Sequence, residues 1–289
     1  MTPARTAFTL FAGSAYDPAT GGGAVAWQRP GGVALLLQHG NEATALPGSH
    51  PALGGARIAW RDGDRITTAD VATLRDRRPH AAPGASVLAV SETALAWRTR
   101  DAAGTDRVWL ATPGAPRLVL ESRAPAELGR PAFGGNLLLC HTAGPSGSSL
   151  LGVDLTTGAQ HVMRADPGAQ ITNPASDGRR LLYVHATGET QQLRIGPLAA
   201  GDPDADTVLL VHHSAGRRDT EHEPGRHRHR QGYPGRRRPK LPPRAAPGVV
   251  ATLWSTALSA ETAYVTRLRA ARGRPRSADI LSVPAAPAG

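Results

Sequence analysis

"PALGGARIAW" (residues 51–60) stands 33 residues after "PATGGGAVAW" (18–27), and the two decamers are nearly the same. The frame returns as "LAVSETALAW" (88–97), "PAFGGNLLLC" (131–140) and "PASDGRRLLY" (174–183), at intervals of 37, 43 and 43 residues. A weaker copy, "TALSAETAYV", begins at Thr256, 82 residues after the fifth. An insertion of about 37 residues there leaves one more repeat interval, so the chain reads as six units.

Each unit has the same physical grammar. A short strand containing Pro-Ala leads into a tight turn rich in Gly or Asp, and a strand with alternating apolar residues follows. In "ARIAWRDGDRITTADV", Ile58 and Trp60 point one way, Arg57 and Ala59 the other, and Asp62-Gly63 is expected to turn the chain. "SSLLGVDLTTGAQHVMR" repeats this theme, with its turn from Asp154 to Gly158. Helical spacing is not sustained anywhere, and even "DVATLRDRR" reads better as strand and turn.

Units of this length with about four short strands each are what a propeller blade requires, since one blade cannot bury both of its faces alone. The expected fold is therefore all-β, a six-bladed β-propeller. Residues 1–211 supply blades 1–5, 212–248 form an insertion, and 249–289 return as the last blade of the same domain. That blade shows three strands, "TLWSTALS", "ETAYVTRL" and "SADILSV". The N-terminal "TAFTLFAG" is expected to add the fourth and close the ring. Its apolar stretch is too short for a convincing secretory signal, and it reads as an ordinary first strand.

Composition fits a core of Leu, Val, Ile and Ala. Aromatic residues are 4% of the 289, against 33 glycines and 25 prolines. All cations but Lys240 are arginines, which with the Ala, Gly and Pro content suits a GC-rich genome and is not a functional signal. No apolar run approaches the length of a membrane span. Cys140 is the only cysteine, which excludes an intrachain disulfide and a cysteine-based zinc knuckle. It occupies the strand position filled by Trp27, Trp60, Trp97 and Tyr183 in other repeats, so it is expected to be a packed core thiol. A tryptophan that binds a partner is expected off that register, and Trp254 is the only mild candidate.

The net charge of +10 is polarised: residues 217–276 carry 15 cations and 4 acids. Most of the excess lies in "HHSAGRRDTEHEPGRHRHRQGYPGRRRPKLPPRAAPG" (212–248), which lacks alternation and has six prolines. Too little of it is apolar to offset the entropy of ordering it, so a long solvated loop is the simplest expectation. Two functional readings stand beside that one. Arg226, Arg228, Arg230, Arg236, Arg237, Arg238 and Lys240 are dense enough to hold a polyanion, with Tyr233 placed to stack on a base. His222, His227 and His229 are weak candidates as metal ligands, because neighbouring arginines oppose a cation and the spacing matches no established site.

Catalytic patterns are missing. There is no Gly-x-Ser-x-Gly elbow, and "GPSGSS" has the wrong spacing. The Asp62/Asp64 and Asp204/Asp206 pairs read as turns, not acid–base couples.

"NPASDGRRLLYV" (173–184) and "LLGVDLTTG" (150–158) resemble the blade signatures of TolB-type propellers, the bacterial WD-like repeats with a Ser-x-Asp-Gly turn. The resemblance implies a scaffold, often exported and engaged in protein–protein contacts, with no shared catalytic residues. The expectation is thus a non-catalytic, monomeric scaffold for a protein partner, without a cofactor, cytoplasmic or exported. Polyanion binding through 217–244 is the alternative, and a hydrolase or lyase working in the channel is the third reading.

Overall fold

The computed structural model describes residues 8–11, 15–37, 40, 42–145, 147–213, 249–271 and 277–285. They form six antiparallel four-stranded sheets. Blade 1 comprises Tyr16–Gly21, Ala24–Arg29, Gly32–Leu37 and Thr44–Leu46. Blades 2 to 5 occupy 49–81, 85–122, 127–166 and 170–213. Blade 6 takes Val249–Leu258, Thr262–Ala271 and Ser277–Pro284, and its outermost strand is Phe8–Phe11. Phe8 pairs with Ser282 and Phe11 with Ile280, so the N-terminal strand closes the ring as the sequence suggests.

The first strand of every blade packs on the first strands of the blades beside it, all the way round from blade 1 to blade 6 and back. Those strands therefore line the axis. Each of the six decamers lies on the hairpin joining the first strand of its blade to the second. The recurrent Gly-Gly has a steric reason at this place: a Cβ on Gly54 would overlap the carbonyl oxygen of Val90 in blade 3, and one on Gly21 would press on Gly54. At these two positions turn stacks on turn, and a larger residue meets the main chain of the next blade.

Alternation along a strand divides its side chains between two neighbours. Ile58 and Trp60 pack with Ala26, Val33 and Leu35 of blade 1, whereas Ala59 packs with Leu88, Leu95 and Trp97 of blade 3. Six hydrophobic clusters result, one per junction between blades. The decamer's last residue always sits in the cluster shared with the preceding blade, whether Trp27, Trp60, Trp97, Cys140, Tyr183 or Val265. Cys140 is fully buried there, and burial pushes its thiol up to about 12, so it packs as an apolar side chain.

Two local expectations shift, and a third is extended. Asp62 pairs with Arg65, so the hairpin loop is Gly63-Asp64, one residue later than the pattern suggests. Gly63 at φ +61° takes the first central position, where a type II′ turn requires glycine. The last strand of blade 5 runs through His212 and His213, beyond the expected start of the insertion. Asp206 closes a short 3-10 turn through its N–H to the Pro203 carbonyl, as expected, and its carboxylate is in addition a buried ion-pair partner, as shown below.

Candidate functional site

The six first hairpins surround a funnel of about 870 Å³ on the axis. Its walls are built from small residues, Ala19, Ala52, Ala132, Ala175 and Ala257 among them. At its base the first strands bulge, with a register shift just ahead of the decamer in blades 1, 2, 4, 5 and 6. In three blades the bulge holds its residue in the left-handed region: Asp17 (φ 59°), His50 (φ 52°) and Asn173 (φ 53°). Asp, His and Asn are the non-glycine types that tolerate this conformation best, so the backbone requirement itself brings polar side chains to the axis.

Arg130 occupies the corresponding place in blade 4. Its guanidinium crosses the axis to the carboxylate of Asp17 in blade 1, and its Nη2 donates to the Pro51 carbonyl oxygen of blade 2 at 3.0 Å. His50 Nδ1 lies 3.6 Å from the other Asp17 oxygen. Burial by itself raises the Asp17 carboxyl, but Arg130 and His50 outweigh it and hold it below the usual carboxylate range. The floor of the funnel is thus an ion pair between blades that face each other across the ring.

A second column of polar residues follows the decamers and fastens blade to blade. Gln28 Oε1 accepts from the His50 N–H at 2.8 Å. His141 Nδ1 accepts from the Asn173 N–H at 3.2 Å, and Thr266 Oγ1 from the Asp17 N–H at 3.1 Å. Arg98 Nη1 donates to the Leu128 carbonyl at 2.6 Å. Each clasp runs from one blade to the next, and Thr266 carries the series across the closure from blade 6 to blade 1. His141 is held neutral, because burial first and Arg98 second lower it to about 4.

Blades 4 and 5 are pinned further out. Arg164, 1% exposed, donates Nε and Nη2 to the two oxygens of Asp206 at 2.7 and 3.0 Å. Its remaining hydrogens go to the carbonyls of Met163, Ala199 and Pro197, and Tyr183 Oη donates to Asp206 at 2.7 Å. Such a saturated guanidinium is a structural pin.

Around the mouth, Asp177 accepts from the N–H groups of Arg179 and Arg180 and pairs with the Arg180 side chain. Arg180 in turn donates to the Ser259 and Ala260 carbonyls of blade 6. Glu92 Oε1 accepts from the Ala56 N–H of blade 2 at 3.0 Å.

Arg226, Arg228, Arg230, Tyr233, Arg236, Arg237, Arg238 and Lys240 lie outside the described residues, as do His222, His227 and His229. The Trp254 side chain is likewise not described. The residues that flank the segment, His213 and Val249, are at the strand ends remote from the decamer turns, on the face opposite the funnel mouth. Among the described residues no three His, Cys, Asp or Glu side chains converge on a common point. None of their helices is long and apolar enough to cross a membrane. Sequence reasoning passed over Asp17, His50, Arg130 and Asn173. The signal available for them was their alignment: each is the residue directly before a decamer.

No family model matches the chain, and no curated protein matches it in sequence. Solved structures do match. One is the β-propeller domain of the Trilobed protease from Pyrococcus furiosus, described as having an open velcro topology. It is 14% identical, covering 93% of this chain and 95% of that one, with a TM-score of 0.51. TolB from Acinetobacter baumannii is 11% identical over 95% of this chain and 63% of its own, with a TM-score of 0.53. Pyrococcus horikoshii acylaminoacyl peptidase is 11% identical over 98% of this chain and 47% of its own, at the same TM-score of 0.53. This chain therefore spans less than two thirds of that TolB and about half of that peptidase. The likeness is one of fold, and at that level it meets the TolB-type resemblance of the repeats. The N-terminal strand that closes this ring stands in contrast to the open topology of the protease domain.

Proposed function

We propose that this chain is a non-catalytic, monomeric scaffold that holds an extended segment of a partner protein in its axial funnel. The observation that carries this reading is the construction of the funnel. All six blades contribute their first hairpins to one cavity of about 870 Å³, large enough for several residues of a peptide. Its walls are built mostly from small side chains with a polar rim, and Arg130, the cation that lines it among the described residues, is already engaged by Asp17. A floor whose charge is spent within the fold supports holding a ligand over transforming one, and a hydrolase or lyase working in the channel is the lesser reading. The Trilobed protease carries a propeller of this fold as one of its domains, and such modular use agrees with a binding role.

The test is selection of dodecapeptides from a random library on the full chain. Binding of the enriched peptides is then remeasured on Thr20→Trp and Ala260→Trp, which narrow the funnel from blades 1 and 6. Binding lost in both variants, with thermal melting unchanged, supports the reading. Enriched peptides that bind both variants as well as the parent overturn it.

The basic segment supports a second reading, an arm for a polyanion, because residues 217–244 alone carry ten cations and three acids. Binding of labelled single-stranded RNA and heparin, across a salt series, compares the full chain with a deletion of 217–244. Affinity that falls steeply with salt and vanishes in the deletion favours the arm. Equal, negligible binding by both removes it.

A further inference from the structure

From the chemistry of the funnel walls we infer that the segment it holds is cationic, presenting arginine or lysine side chains between blades 3 and 6. This rests on the funnel reading above and specifies its ligand.

Two independent features lead there. The first is charge. On a chain of net charge +10, the described residues that line the cavity include Glu92, Asp177 and Glu261 against one cation, Arg130. Arg130 is paired with Asp17, and Asp177 with Arg180. That leaves Glu92 and Glu261, both exposed, and neither takes an ion pair among the described residues. Arg57, which lies within electrostatic reach of Glu92, donates to the carbonyl oxygens of Ser91 and Glu92, at 3.5 and 3.4 Å, and forms no ion pair with the carboxylate. Glu92 belongs to the first turn of blade 3 and Glu261 to that of blade 6, so the two carboxylates stand on opposite sides of the mouth.

The second feature is the backbone. Each first strand pairs only with the second strand of its blade, and its other edge is turned to the axis. Proline stands in four of these strands, as Pro18, Pro51, Pro131 and Pro174, and removes an N–H from each while leaving the carbonyl. The axial wall is consequently richer in acceptors than in donors. The fold supplies its own precedent, because the guanidinium of Arg130 takes the Pro51 carbonyl as its second acceptor. A ligand rich in N–H donors and positive charge suits both the wall and the rim, whereas an acidic segment meets carboxylates at the mouth and main-chain carbonyls below it.

The experiment measures fluorescence anisotropy of the full chain with labelled decapeptides that alternate proline with arginine or with serine, at low salt. The arginine peptide is expected to bind about tenfold tighter, the value of two exposed charge pairs. Glu92→Gln/Glu261→Gln, which keeps an acceptor for the Ala56 N–H, should bring the arginine peptide to the serine level. Serine-peptide binding and the melting temperature should stay unchanged. Equal affinities in the parent, or an arginine preference that survives the double substitution, overturn the inference. If both peptides bind equally and both are lost in Thr20→Trp and Ala260→Trp, the funnel reading survives and only the charge preference fails. If neither peptide binds, both fail.

Discussion

Arg130 and Asp17 belong to blades on opposite sides of the ring, and their side chains meet at the axis, each 10% exposed. The propeller is thereby tied across its diameter as well as around its circumference. Removing the cation alone leaves a buried carboxylate, so Arg130→Met is expected to cost about 3–5 kcal/mol in urea unfolding. Asp17→Asn introduced beside it should restore part of that loss. Because the folded Asp17 carboxyl is held below its ordinary range, its contribution is present above about pH 4 and lost as pH falls further. The parent should therefore lose stability relative to Asp17→Asn in that acid window, and a constant difference would argue against the tie.

His141 adds a loss in the same direction, starting at a higher pH. It is a base whose charged form is disfavoured by burial, with a folded value of about 4 against about 6.5 when unfolded. Below pH 6.5 the unfolded chain gains a proton that the folded chain refuses, so stability falls until the folded value is reached. Between pH 7 and pH 5 the cost is about 2 kcal/mol. His141→Asn keeps an acceptor for the Asn173 N–H and carries no titrating group, so it should lack this increment when the two proteins are unfolded at both pH values.

Arg164 offers a ranking. Its fork matches Asp206 and three carbonyls in one plane, which an ammonium cannot reproduce. Arg164→Met, which strands Asp206, is expected to cost about 3–5 kcal/mol. Arg164→Lys should cost about 2 kcal/mol, and Tyr183→Phe, which removes one donor to the same carboxylate, about 1 kcal/mol. Thermal or urea unfolding reads the order. Lysine equal to arginine would mean that charge and not the fork holds blades 4 and 5 together.

Gly54→Ala tests the stacking of turns. The added methyl meets the main-chain carbonyl of Val90, which cannot rotate away, so the blade 2 turn must move. A loss of about 1–3 kcal/mol is expected. Gly63→Ala serves as the comparison, because nothing lies near its Cβ position and only its positive φ is strained. Equal losses at the two sites would leave close approach without a role.

What the sequence disclosed depends on the range of the interaction. "PALGGARIAW" revealed its hairpin because alternation and the Gly-Gly turn are local, and the spacing of such decamers then gave the blade number and the need for a closing strand. The one-residue error at Asp62-Gly63 has the same origin: either dipeptide is a good turn, and only the pairing of Asp62 with Arg65 decides. At Asp206 the turn was legible and the ion pair was not. "DPDAD" looks like a loop, and the partner that makes its last residue a buried anion is 42 positions away. The Arg130–Asp17 tie spans 113 residues, and it becomes foreseeable only once blades 1 and 4 are known to oppose each other.

The pairing of Phe8 with Ser282 sets the order in which the molecule can assemble. Hairpins within a blade join residues a few positions apart, and neighbouring blades are joined over about one repeat. The closing strand must find its place across almost the whole chain. By the logarithmic growth of closure entropy, this asks for only about 2 kcal/mol more than bringing together the ends of a 40-residue blade. In equilibrium terms the clasp is cheap, but in time it comes last, since a search of that length rewards no contact until it succeeds. An open ring of blades is thus the natural late folding intermediate, and substitutions in Phe8–Phe11 should speed unfolding far more than they slow folding.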